Sequence, residues 1–115
     1  MRQHACHMPT QQELSDQIWE KLNYVVDPEV GVPIVELNVV EKVEIRDDNS
    51  VHIQLRMTTP VCPAILAYQL AADVKNAAES VEGVGKVTIE VRDHYMADVI
   101  NQNINNPDPG QPLRL

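Results

Sequence analysis

Apolar and polar positions alternate most regularly between Val51 and Thr58, where Val51, Ile53, Leu55 and Met57 are interleaved with His52, Gln54, Arg56 and Thr58. A period of two marks a strand with one buried face and one wet face. Val87, Ile89 and Val91 repeat the period against Thr88, Glu90 and Arg92, and Val39, Val43 and Ile45 predict a further strand over about 39–46. Asp47-Asp48-Asn49-Ser50 is a turn by composition, so the first two strands are expected to form an antiparallel hairpin. Elsewhere the period lengthens. Leu14, Ile18 and Leu22 predict a helix over about 11–24, opened by the capping box Thr10-Gln11-Gln12-Glu13 and stopped by Asp27-Pro28-Glu29. Leu66, Leu70, Val74, Ala77 and Val81 form the stripe of a second helix, running from just after Cys62 to about Val81. Gly83 and Gly85 mark its exit. A short third helix over about 95–104 would turn Met96, Val99 and Ile100 inward.

The element order is therefore α-β-β-α-β-(α). It implies an α+β fold, a small two-layer sandwich in which a three-stranded mixed sheet carries its helices on one face. The helix after Cys62 is the crossover, and such connections are right-handed in nearly all proteins. Residues 1–9 read as a flexible N-terminus, 10–104 as a single domain, and 105–115 as a disordered tail without periodicity.

Composition narrows the chemistry. The chain has 115 residues, enough for one modest core, and 43% of them are hydrophobic. It lacks Phe, and its only aromatics are Trp19, Tyr24, Tyr68 and Tyr95, so that core must be aliphatic. A formal net charge of −8 argues against nucleic acid and anionic membranes as partners, since both are bound through basic patches. Cys6 and Cys62 make no disulfide framework, and neither a signal-peptide pattern nor a membrane-length apolar run is present. The expected compartment is the cytoplasm, where a free thiol persists.

Cys62 is the strongest chemical feature. It lies in Thr58-Thr59-Pro60-Val61-Cys62-Pro63, between a strand and a helix, and Pro63 suits the first helical position. Cys62 is then expected at the N-cap, where unpaired amides and the helix dipole favour the nucleophilic, metal-binding thiolate. The bland alternative is a buried thiol acting as a small hydrophobe. Thr59 is a candidate donor to that thiolate, whereas Thr58 reads more simply as a strand-end residue. Asp27 and Glu29 read equally as carboxylate ligands, as a docking point, or as an acidic helix-stop turn. His4, Cys6 and His7 group potential metal ligands on a stretch with no rigid frame. His52 and His94 read as solvated strand histidines, and Asp47-Asp48 lacks the ligand spacing of a calcium loop.

Asp27-Pro28-Glu29, Ile34-Val35-Glu36-Leu37 and Thr58-Thr59-Pro60-Val61-Cys62-Pro63 together resemble the signature of the SufT/PaaD-type iron–sulfur assembly family, over roughly residues 12–93. That family includes components of the SUF systems and maturation proteins that deliver clusters to apoproteins. The resemblance implies a non-enzymatic iron–sulfur assembly or transfer factor acting through the Cys62 thiolate, with Asp27 and Glu29 on the family's acidic turn. Its partners would be iron–sulfur scaffold proteins and apo-clients. This chain departs from the family's Val-Asp-Leu-Gly at Val35-Glu36-Leu37-Asn38, and Asn38 is the residue that best replaces glycine in a left-handed backbone. Protein-held clusters usually take four ligands, so one well-placed cysteine implies no stably bound cofactor. Transient iron or a transient cluster on Cys62 fits better, shared with a client or across a homodimer. Two rival readings stay open: a thiol peroxidase or acyl carrier using Cys62 as nucleophile, and a pure adaptor in a maturation complex.

Overall fold

A computed structural model of the chain describes residues 10–27, 30–57 and 63–105. Three helices and three strands follow in the expected order: α1 (Gln11–Leu22), β1 (Val40–Ile45), β2 (Val51–Arg56), α2 (Ala64–Glu79), β3 (Val87–Arg92) and α3 (Ala97–Asn105). The sheet order is β1-β2-β3, with β1 antiparallel to β2 and β2 parallel to β3. The fold is α+β with a mixed sheet. The core lies between the sheet and the helices and is aliphatic, with Leu14, Ile18, Leu22, Ile34, Ile53, Leu55, Ile89 and Ile100 fully enclosed.

The local chemistry of the sequence explains most of these elements. Thr10 Oγ1 accepts from the Glu13 amide at 3.1 Å, and Glu13 Oε1 accepts from the Thr10 amide at 2.9 Å, closing the capping box of α1. The helix stops two residues short of the expected end. Tyr24 and Val25 donate to Lys21 and Leu22 in tight turns, which carries Val25 into the core. The hairpin turn is closed by Asn49 N–H to Arg46 O at 2.8 Å, with Asn49 left-handed at φ 66°. Asp48 accepts from both the amide and the hydroxyl of Ser50, and these bonds hold its carboxyl below the ordinary carboxylate range. Asn38 is left-handed too, at φ 58°, as expected of a residue standing where the resemblance has glycine.

Three details differ from the expectation. In β1 the register shifts between Val40 and Lys42, so Val40, opposite Leu55, joins Val43 and Ile45 on the core face, and Glu41 and Lys42 both reach the open face. In α2 the buried stripe is Ala67, Leu70, Ala71, Val74 and Ala78, whereas Leu66 and Ala77 are only half-buried. Alanines let the helix approach the sheet closely, and that rotates the stripe away from the larger side chains at its margins. The helix ends at Glu79, where Ser80 Oγ donates back to Ala77 O at 2.7 Å, and Val81 is buried beyond it.

Finally, α3 buries Ile100 and Ile104 and reaches Asn105, one residue into the expected tail. Its side chains explain the extension. Asn101 Oδ1 accepts from Val91 N–H at 2.6 Å while its amide donates to Val91 O at 3.1 Å. Asn105 repeats the pair on Ile89, at 2.9 and 2.7 Å. Lys75 of α2 closes the far end by donating to Ile104 O at 2.9 Å, a cation at a helix C-terminus.

Candidate functional site

Because β2 and β3 run parallel, their C-terminal ends share one rim of the sheet. The chain leaves β2 at that rim after Met57, which is buried, and returns at Pro63 to begin α2. Thr59 and Cys62, on the connection between them, and Glu29 in the earlier acidic turn lie outside the described residues. Pro63 itself corrects one expectation. Its ψ of 132° is not helical, and its carbonyl accepts from both Leu66 and Ala67 at 3.0 Å, so Pro63 is the N-cap and the helix begins at Ala64. Proline's fixed φ suits either position; the non-helical ψ decides between them. Cys62 therefore precedes the cap by one residue. Pro63 has no polar side chain to offer the first amides, and the first turn of α2 holds no acidic residue. Among the described residues no side chain caps the positive end of α2, and such a helix start favours a nearby anion.

The strand β3 brings its own residues to the same rim. Asp93 is left-handed at φ 57° and pairs with Arg56 Nε at 2.8 Å. His94, expected to be solvated, is 8% exposed. Its Nδ1 accepts from Met96 N–H at 3.0 Å and its carbonyl accepts from Ala97 N–H at 3.1 Å, so it initiates α3. Tyr95 stacks on the ring with centroids 4.7 Å apart. Nothing in the strand period signals this burial, because it comes from the turn that follows the strand. His52 is likewise engaged, its Nε2 lying 3.0 Å from Glu90 Oε1 on the sheet's open face.

Asp27 is 4% exposed and organises a tight loop. Its amide donates to Val32 O at 2.9 Å, its carbonyl accepts from Gly31 N–H at 2.8 Å, and Gly31 supplies the left-handed φ of 71° that the turn needs. These loop-closing bonds are made by the backbone of Asp27, whose side chain is largely enclosed. Around it the loop exposes three apolar side chains, Tyr24, Val26 and Val30, at 81, 44 and 59%. Sequence reasoning passed over these three because Tyr24 ends the expected helix off its apolar stripe and Val26 and Val30 fall between periodic segments. Among the described residues no group of three His, Cys, Asp or Glu side chains is placed to hold a metal ion, and no helix is long and apolar enough to cross a membrane.

Known proteins share this architecture. The profile of the family described as "Iron-sulfur cluster assembly protein" matches residues 15–91. The "Fe-S protein maturation auxiliary factor YitW" of Bacillus subtilis is 33% identical over 81 residues, covering 70% of this chain and 78% of the relative. An "Iron-sulfur cluster carrier protein" of Deinococcus radiodurans is 35% identical over 77 residues, 67% of this chain but only 21% of that longer protein. Among solved structures, a domain of unknown function (DUF59) from Bacillus anthracis superposes with a TM-score of 0.64 at 33% identity, covering 70% of this chain and 76% of that one. The matched span takes in α1 from Ser15 onward, the acidic loop, the sheet up to Val91, and the connection that carries Cys62. By the extent of this match and its agreement with the fold, the chain belongs to the iron–sulfur cluster assembly protein family.

Proposed function

We propose that the protein helps mature iron–sulfur proteins in the cytoplasm as a non-catalytic factor in SUF-type assembly, handing iron or a cluster to apo-clients through the Cys62 thiolate. The observation that carries the role of the thiol is the start of α2 immediately beyond Cys62, which no side chain among the described residues caps. A thiolate within the first turn's reach gains from the helix dipole and from the first-turn amides. The relatives named as carriers and maturation factors support the biological role. In this reading the cluster is cargo. Cys62 supplies one anionic sulfur, Thr59 supports it by hydrogen bonding, and the remaining ligands come from a client, a scaffold protein or a second copy. Asp27 holds the shape of the acidic loop, Glu29 gives that loop a charge to present, and Tyr24, Val26 and Val30 offer it apolar contact area for docking.

Removal of the gene tests the role itself. Aconitase activity per unit of aconitase protein is expected to fall in the deletion strain while aconitase abundance holds. Unchanged specific activity across several iron–sulfur enzymes would contradict the proposal.

A further inference from the structure

The outer edge of β3 is closed in an unusual way. Val51 and Met57 donate to Lys86 and Arg92, so the even-numbered residues of β3 turn their backbone groups toward β2. The backbone groups of the odd-numbered Ile89 and Val91 point outward, where a fourth strand would lie. Asn101 and Asn105 fill that place. Each primary amide donates once and accepts once, reproducing the two bonds that a paired strand residue exchanges. The spacing also matches. Four residues of helix rise about 6.0 Å, and two residues of strand rise about 6.6 Å. The edge of β1, by contrast, carries Glu41, Lys42 and Glu44 and a bulge, the ordinary defences of an exposed edge. The family match ends at Val91, so α3 lies beyond the matched part of the chain.

We infer that α3 is an edge plug: its two asparagines occupy the fourth-strand position and keep β3 from pairing with β3 of a second copy. The second copy is the occupant that β3 itself specifies. In the antiparallel register with Ile89 opposite Ile89 of the other copy, Val87 faces Val91 and Thr88 faces Glu90. The core-facing column then continues from sheet to sheet, and no like charges oppose between Val87 and Val91. Two-fold pairing would set the C-terminal rims of the two sheets at opposite ends. Such a dimer could not bring the two Cys62-bearing connections together, so the plug guards against an assembly of no use for sharing a cluster.

The test is the mass of the folded full-length chain in solution, by light scattering from micromolar to near-millimolar concentration. The variant Asn101→Leu with Asn105→Leu keeps a helix-forming, apolar side chain at both positions and removes all four bonds. It is expected to reach twice the wild-type mass as concentration rises. The Ile89 and Val91 amides should exchange quickly when dilute and regain protection when concentrated. Adding Thr88→Glu, which sets a second carboxylate against Glu90 of the other copy, should restore the wild-type mass. Should the double variant not fold, Asn101→Asp is the substitute: it keeps the shape and the acceptor but loses the donor to Val91 O, and its self-association is expected to strengthen at least tenfold over wild type. A folded variant that keeps the wild-type mass at every concentration, or a dimer indifferent to Thr88→Glu, would overturn the inference.

Discussion

Asn38 shows how much a single position can disclose. Its place after Val35-Glu36-Leu37 raised the expectation of a left-handed backbone, and its φ is 58°. For a residue with a bare Cβ that conformation costs roughly 1–2 kcal/mol, while glycine adopts it with almost no steric penalty. Asn38→Ala is therefore expected to lower stability by about 1 kcal/mol, whereas Asn38→Gly should stay within a few tenths; urea midpoints with unchanged m-values would check both. Asp73 makes a different point. Burial pushes its carboxyl above the ordinary value, so the charged form is disfavoured in the folded chain. That penalty is in full force above the raised folded pKa and disappears as pH falls below the unfolded one. Asp73→Asn should accordingly raise the urea midpoint near neutral pH, with the gain shrinking to nothing below about pH 3. A gain of equal size at both pH values would point to packing instead of charge.

At the scale of elements, the period-two strands were the most legible part of the chain, because burial on one face leaves a direct imprint on sequence. The helix α2 was legible in extent and in the buried Leu70, Val74 and Val81, but its stripe is rotated at the margins. Large residues such as Leu66 drew the expected stripe toward themselves, while the sheet selected the small ones, Ala67, Ala71 and Ala78. This makes Ala71→Leu and Ala77→Leu a discriminating pair. Ala71 is fully enclosed, and overpacking there should cost about 1–3 kcal/mol. At half-buried Ala77 the same change should be close to neutral. A larger cost at Ala77 than at Ala71 would mean that the helix sits at the rotation the sequence period suggested. The roles of Asn101, Asn105 and His94 were not legible at all. Each depends on α3 folding back against β3, a tertiary fact with no local signal beyond two asparagines spaced four apart.

For the whole molecule, sequence motif and fold converge on one rim of the sheet. The parallel pairing of β2 with β3 ends both strands at one rim, where the chain leaves β2 after Met57 and re-enters at Pro63, and among the described residues no side chain caps the start of α2. The motif was readable because a strand, a turn and a helix start must follow in that order. The burial of Asp27 was not, since it comes from the loop's backbone bonds, and the exposed apolar residues beside it carry no pattern of their own. The central claim is that maturation passes through one sulfur. Its most direct test is complementation of a strain lacking the gene, reading aconitase activity per unit of aconitase protein, with wild type, Cys62→Ser and Cys6→Ser produced at equal soluble abundance. Wild type and Cys6→Ser are expected to restore activity, and Cys62→Ser is expected to leave it at the deletion level. Full restoration by Cys62→Ser would contradict the account and make the protein an adaptor whose thiol is incidental.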